Sequence, residues 1–402
     1  MTTDTYWPRI NGVTVAVDGF RRMLTRLGHE VFVFAPQYAK SSGAGHHADD
    51  DRIFRFRAFS APFSPEDRIG YPDARFRITS LLERLRPDVV HGHSEFTIGF
   101  AGKRYCKRTG VPHVMTCHTY WENYIHTYFP PIPPSVAQRI ASAWSRADYR
   151  LADALTVPSE FLKRLLLTYG VTTPIEVIPN GVNAEEFLLS PNERELQARY
   201  FAQALPETAG KRILLYAGRI AREKNIDFLF DVLKRIIPAV PDVLLLLAGD
   251  GPYRSSLERK ARQEGLSHHV LFAGYLNRKQ IAYAYGLADA FVFSSKTETQ
   301  GLVLVEAMMC RTPVVALRAR GTEDFLTGTR GGFLLDENVE LFADRVLLLL
   351  RDERERNLKK AQAWEAAQRW TIDRTTELLL DVYERASASS ASGRRRARMG
   401  WS

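Results

Sequence analysis

Cysteine is scarce in this 402-residue chain: Cys106, Cys117 and Cys310 are odd in number, far apart and without metal-ligand spacing. That pattern excludes a disulfide-stapled fold and a structural zinc site, and it favours a reducing compartment. Long apolar runs are missing as well. The longest, Val243–Ala248 and Val346–Leu350, are core-sized, well short of the roughly 18–20 residues that a membrane span needs. Metal-binding patterns are lacking too. There is no HExxH-type pair, and the only acidic cluster, Asp49-Asp50-Asp51, lies in a polar loop before a strand and reads as solvated. The opening MTTDTYWPRINGV has neither a basic start nor an apolar centre, so it does not read as a signal peptide. No acid follows Glu384, whereas Arg394, Arg395, Arg396 and Arg398 do.

What is present is an ordinary soluble composition with a net charge of +9. The basic excess permits an anionic membrane surface or a nucleic acid and selects neither. The length allows two or three domains, each with its own core. Through the first half, short apolar runs alternate with longer amphipathic ones. Strands are predicted at Val31–Pro36, Ile53–Phe59, Asp88–His93, His113–Cys117, Ala154–Pro158 and Ile175–Pro179. The alternation halts over the polar stretch Leu189–Pro206, then restarts with strands at Ile213–Ala217, Val243–Ala248, Val270–Ala273, Phe291–Ser294 and Pro313–Leu317. This predicts an α/β fold: two doubly wound Rossmann-like domains with mainly parallel sheets, joined near residue 190. Such sheets bind ligands at the carboxyl ends of their strands, so two domains facing each other by those ends make a cleft. After Val339 the pattern is helical: Val339–Arg351, Glu353–Gln368 and Arg374–Arg385. Residues 387–402, rich in Ala, Ser, Gly and Arg, are expected to be a disordered basic tail. The start is unusual, because TDTYWPRINGV is turn chemistry leading straight into a helix, where a central strand would normally come first. The first strand is therefore missing, or the true start lies upstream; the second is favoured.

The stretch SSKTETQGLVLVEAMMC, from Ser294 to Cys310, carries the densest chemistry. It follows a buried strand and turns helical near Gln300-Gly301, where free backbone N–H groups and the helix dipole favour an anion. Glu298 and Glu306 frame that point with seven residues between them. One acid can reach a polyol beside the anion and the other a second polyol behind it, which is the layout of a sugar nucleotide. Taken alone, the pair is equally an acidic loop residue and a solvated helix carboxylate. Asn11-Gly12-Val13 opens another helix, and Gly12 would let a phosphate approach, or is simply a helix start. His118, in TCHTYW, ends a strand on the ligand side; it suits a sugar hydroxyl, or a satisfied core position. His91 and His93 alternate on another strand end and face one side. Arg219 and Lys224, in YAGRIAREKN, can clamp a diphosphate as planar fork and point charge. Asn180-Gly181 ends the last strand of the first half, and Asp250 in AGDGP ends a strand on the cleft side, where its turn can shape a base pocket.

In this order, Asn11-Gly12-Val13, TCHT, PNGV, YAGRIAREKN, AGDGP and TETQGLVLVEAM resemble the retaining family-4 glycosyltransferases of GT-B fold, over nearly the whole chain. The resemblance implies that Gly12 and the Gln300, Gly301 and Leu302 backbone meet the diphosphate, that Arg219 and Lys224 neutralise it, that His118 and Glu298 hold the donor hexose, and that Glu306 holds the ribose. His118, Arg219, Lys224 and Glu298 would be catalytic. It implies no cofactor, no divalent metal and retention of the anomeric configuration. Residues 1–190 would be the acceptor-side domain and 191–368 the nucleotide-sugar domain, with 369–386 a helix crossing back to the first.

For the acceptor, Thr119–Pro134 is aromatic and irregular, and Tyr120, Trp121 and Tyr124 suit a membrane interface or a sugar-stacking site. Lys103, Arg104, Lys107 and Arg108 fall on one helix face, either beside anionic lipid or merely solvated. TDTYWPRINGV, HTYWENYIHTY and SKTETQGLVLVEAM look most like bacterial diacylglycerol glycosyltransferases. The favoured expectation is transfer of glucose from UDP-glucose to diacylglycerol or a similar lipid, by a cytoplasmic enzyme peripheral to the inner membrane face. The alternatives are the same chemistry on phosphatidylinositol, a soluble sugar or a polysaccharide intermediate, with GDP-mannose as another donor. A nucleic-acid-binding α/β protein is the remote one, and no nucleic-acid partner is expected.

Overall fold

The computed structural model describes the chain apart from residues 10, 39–49, 62–63, 123–124, 126–131, 189, 297, 299, 320, 327–329 and 400–402; of 64–66, 191, 194, 198, 202 and 390–399 it describes the backbone alone. The chain forms two compact units, Met1–Gly181 with Ile372–Ser402, and Val182–Thr371. Among the described residues, no helix is long and apolar enough to cross a membrane.

The first unit holds strands β1 (Val33–Pro36), β2 (Ile53–Phe56), β3 (Ala58–Ala61), β4 (Ser64–Gly70), β5 (Val90–Gly92), β6 (His113–Thr116), β7 (Ala154–Val157) and β8 (Ile175–Val177). β1–β2 and β5–β6–β7–β8 are parallel ladders, and β3–β4 is an antiparallel pair; the apolar pattern at Ile53–Phe59 runs β2 into β3 and does not mark β4. Met1–Thr3 lie between the two parallel ladders. Thr2 N donates to His91 O (2.9 Å), His93 N to Thr2 O (2.8 Å), Thr3 N to Phe34 O (3.0 Å) and Phe34 N to Met1 O (2.9 Å). The row therefore reads β2, β1, Met1–Thr3, β5, β6, β7, β8. Met1–Thr3 thus occupy the place where a first central strand is expected, with Thr2 forming isolated bridges to Phe34 and Gly92. They are too short and polar to show a strand pattern, because Asp4 already turns away to accept from Ile98 N (3.1 Å) at the start of helix Thr97–Thr109.

The last helix, Ile372–Met399, belongs to this unit. Its Ile372, Leu379, Val382 and Ala386 pack with Phe20, Val114, Ala154 and Ile178. Ala and Arg are good helix formers, and the helix runs past Arg385 into the stretch for which disorder is expected. The glycine of PNGV marks a close approach, since a Cβ on Gly181 would lie 2.4 Å from Ile372 Cα.

The second unit is one parallel sheet of β9 (Arg212–Ala217), β10 (Val243–Ala248), β11 (Val270–Gly274), β12 (Ala290–Phe293), β13 (Val314–Leu317) and β14 (Gly332–Leu335), in the order β11-β10-β9-β12-β13-β14. β10, β12 and β13 are buried at every residue, as expected of strands covered on both faces. The polar stretch Leu189–Pro206, where the alternation halts, holds helix Pro191–Ala204. Ser190 and Glu193 close a reciprocal capping box at its start, an S-x-x-E signal that the search for apolar periodicity passes over. From β9 the chain winds one way to β10 and β11, and from β12 the other way to β13 and β14. The reversal lies between β9 and β12, where doubly wound sheets open a crevice at their carboxyl ends. In the first unit the same reversal lies between Met1–Thr3 and β5.

Candidate active site

In the second unit, the loops leaving β9 and β12 meet at this reversal. The β9 loop is held by the turn after β10: Gly218 N donates to Ala248 O (3.0 Å), Ile220 N to Asp250 O (2.9 Å) and Tyr253 N to Ile220 O (3.1 Å). A Cβ on Gly249 would lie 1.9 Å from Gly218 O, and one on Gly251 2.3 Å from Ile220 O, so the AGDGP glycines are where this loop packs. Arg219 is exposed, and among the described residues it has no carboxylate partner. Lys224 closes a single 3-10 turn before helix Ile226–Ile236. Its ammonium donates to Glu298 Oε1 at 2.5 Å, and its carbonyl accepts from Ser294 Oγ at 2.9 Å. Lys224 and Glu298, 74 residues apart, thus come together as one partly buried ion pair.

The β12 loop ends at Gln300, which is 3% exposed, and Gly301, whose left-handed φ of 79° caps helix Leu302–Met309. No side chain caps that helix start and no acid lies in its first turn, so the N–H groups of Leu302 and Val303 are left without a side-chain cap, while Leu304 N donates to Gly301 O (3.0 Å). Glu306, further along the helix, is 7% exposed. Arg278 Nη1 donates to its Oε1 (2.8 Å) and Tyr285 OH to its Oε2 (2.9 Å). Arg278 also donates from Nε to Glu186 Oε2 (2.5 Å) and stands 4.7 Å over the Phe187 ring. Burial opposes the Arg278 charge, but the Glu306 and Glu186 carboxylates outweigh it and hold the guanidinium above its usual value. Arg278, Tyr285 and Glu186 are not evident from sequence; only the Asn277–Gln280 capping box, which starts helix Arg278–Leu287, marks the place.

In the first unit, Gly12 opens helix Gly12–Arg26, capped by Asn11 through Thr14 N (2.8 Å). A Cβ on Gly12 would meet nothing within 4 Å, so protein packing does not require the glycine. The carboxyl ends of β5 and β6 carry a histidine group. His93 Nδ1 and His118 Nε2 share a hydrogen bond (3.1 Å), and the His91 and His93 rings stand 3.9 Å apart. His91 bridges Tyr383 OH (2.7 Å) on the last helix and Thr116 Oγ1 (2.6 Å). Burial holds His91 and His93 well below the usual imidazole value and lowers His118 to about 4, so all three are neutral. Next to them is Glu95, a residue without sequence signal. Burial raises its carboxyl to about 7, against the Tyr149 hydroxyl that donates to it at 2.7 Å.

Trp121 packs edge-on to Phe96 (5.9 Å) and beside Trp144 (6.5 Å), while Tyr120 meets Phe161 (5.5 Å); Tyr124 lies outside the described residues. The four-cation face is corrected. Lys103 points inward, 4% exposed, onto Asp148, because that carboxylate comes from helix Pro134–Tyr149. Arg104, Lys107 and Arg108 stay exposed, with Arg108 paired to Glu83. Of the acidic cluster, Asp50 pairs with Arg21 (2.7 Å). Among the described residues, no three His, Cys, Asp or Glu side chains gather as metal ligands would.

Comparison with known proteins matches both units. Residues 10–186 match Glycosyltransferase Family 4, and residues 173–369 match Glycosyl transferases group 1. A GDP-mannose-dependent alpha-mannosyltransferase of Mycobacterium tuberculosis is 30% identical over 387 residues, which is 96% of this chain and 95% of its own length. Alpha-monoglucosyldiacylglycerol synthases of Streptococcus pneumoniae and Acholeplasma laidlawii are 28% and 26% identical, over 78% and 84% of this chain and 69% and 85% of their own. Among solved structures, Anabaena Alr3699/HepE in complex with UDP-glucose superposes with a TM-score of 0.72 (17% identity, 96% of this chain and all of that one, at 100%). Sucrose-phosphate synthase from Thermosynechococcus elongatus does so with 0.75 (20% identity, 94% of each chain). These structural likenesses speak to the fold, which is of the GT-B type.

Proposed function

Because the chain belongs to glycosyltransferase family 4, we propose that it moves a hexose, glucose from UDP-glucose in the favoured form, to diacylglycerol or a similar lipid at the cytoplasmic membrane face, with retention. The Lys224–Glu298 pair at the reversal between β9 and β12 carries this reading. Lys224 stands there as a cation already charge-balanced, ready to exchange its carboxylate for a diphosphate. Arg219 joins it, the N–H groups from Gln300 to Leu302 and at Gly12 meet phosphate oxygens, His118 and the released Glu298 take hexose hydroxyls, and Glu306 takes the ribose. In the reaction, the acceptor oxygen bonds to the anomeric carbon on the face from which the diphosphate leaves. The carbon–oxygen bond breaks with its electrons on the phosphate, and that phosphate oxygen takes the acceptor's proton. Arg219 and Lys224 offset the developing charge without a divalent ion.

The lipid half of the reading is supported by the first unit's surface. Phe96, Phe100, Val136, Ile140 and Trp144 are 39–46% exposed, and Val136, Ile140 and Trp144 form a stripe at i, i+4, i+8 on helix Pro134–Tyr149. The cations Arg104, Lys107 and Arg139 are exposed on the same two helices, and each is worth about 1 kcal/mol beside anionic lipid. The two diacylglycerol-related synthases support it further. A second reading, mannose transfer from GDP-mannose to an inositol lipid or another acceptor, is supported by the mannosyltransferase relative that spans nearly the whole chain. Mass spectrometry of products formed from a panel of sugar nucleotides with a lipid extract tests both. A glucosyl-diacylglycerol mass supports the first, a mannosylated product selects the second, and no hexose transfer from any donor overturns both. Turnover unchanged after chelation supports the metal-free mechanism, and loss of turnover restored only by magnesium or manganese overturns it.

A further inference from the structure

Glu306 meets the nucleotide with half of its hydrogen-bonding capacity already used. An ionised carboxylate offers about four lone-pair sites. Arg278 Nη1 takes one on Oε1 at 2.8 Å, and Tyr285 OH takes one on Oε2 at 2.9 Å. One site is left on each oxygen, and the two remaining sites have the spacing of a vicinal diol. Neither donor is free to move away. Tyr285 is 0% exposed, and Arg278 is anchored by its second bond, to Glu186 (2.5 Å), and by its stacking over Phe187. With both bonds donated to it, the carboxylate acts here as an acceptor, and its remaining lone pairs can receive two hydroxyl protons at once. We propose that Arg278 and Tyr285 are positioning residues that orient Glu306 for bidentate capture of the ribose 2′- and 3′-hydroxyls, which makes this network the determinant of ribonucleotide over deoxyribonucleotide donors.

The inference rests on the reading of Glu306 as the ribose residue, and the test separates the two. Calorimetric titration of the full chain compares UDP with 2′-deoxy-UDP, and GDP with 2′-deoxy-GDP. Wild type is expected to bind the ribonucleotide about tenfold more tightly, the worth of one hydrogen bond to a charged group. In Tyr285→Phe and in Arg278→Met that ratio should fall toward one, with deoxynucleotide affinity little changed, and Arg278→Lys should restore part of it. A ratio that survives in both variants, even with uniformly weaker binding, overturns the positioning role and leaves Glu306 at the ribose. A wild-type ratio of one, together with an unweakened Glu306→Ala, removes Glu306 from the ribose and the inference with it.

Discussion

At the reversal of the second sheet the side chains are joined in salt bridges: Lys224 with Glu298, and Arg278 with Glu186 and Glu306. At the reversal of the first sheet they are neutral. Burial keeps His91, His93 and His118 uncharged and holds Glu95 at about 7. The same winding thus carries two different chemistries. Fixed charges can compensate a departing diphosphate without rearranging, and they are stabilised by one another until it arrives. Neutral donors and acceptors suit hydroxyl groups, which bring no charge with them.

The largest expected effect tests the charged side. Lys224→Ala and Arg219→Ala should each lower kcat by about a hundredfold or more, the range for removing one transition-state stabiliser. Unchanged turnover in either, measured with saturating donor, would remove that cation from the clamp. Next comes Gly249→Ala. Its Cβ would lie 1.9 Å from Gly218 O at a φ of 150°, so about 3 kcal/mol or more of stability should be lost. In chemical denaturation that loss should appear in the second unit's transition alone.

A smaller effect tests the neutral side through pH. Glu95 keeps its proton in the folded state up to about 7, while the unfolded chain releases it near the usual carboxylate value. The folded state binds more protons in that interval, so stability falls as pH rises through it, by up to roughly 1.4 kcal/mol per pH unit. His91 and His93 act with the opposite sign: the unfolded chain takes protons below the usual imidazole value of 6.5 and the folded state does not, so stability falls as pH drops. Melting temperatures across pH should flatten above pH 5 in Glu95→Gln and flatten below pH 6.5 in His91→Gln, each relative to wild type; coincident profiles would put charge where neutrality is described. The smallest effect concerns the surface of the first unit. Trp144→Glu should weaken sedimentation with anionic vesicles about fivefold, and added salt should weaken the wild type in the same assay.

Much of this was legible in the residues. Period-two and period-3.6 apolar patterns depend on local burial, so the α/β alternation, most strands and the loops bearing Arg219–Lys224 and Glu298–Gln300 follow from sequence alone, whereas β4, β14 and the strand order within each sheet do not. The i, i+4 spacing of Lys103 with Lys107 defines a helix face but not what covers it, and Asp148 on another helix decides that Lys103 turns inward. Arg278 meets Glu306 across 28 residues and Glu186 across 92, distances at which no local pattern speaks. Met1–Thr3 escape because a segment three residues long, paired only through bridges at Thr2, leaves no periodicity. The Pro191–Ala204 helix was readable, since its cap is written in Ser190 and Glu193.

The last helix gives the first unit a gap in its sequence, with consequences for synthesis. On the ribosome, Phe20, Val114, Ala154 and Ile178 emerge early and wait without the surface that covers them until Ile372, Leu379 and Val382 follow. The unit whose residues are contiguous, Val182–Thr371, is fully translated before its neighbour is. The portion made first is therefore finished last, and a fragment ending at Gly181 would leave that apolar face open to water.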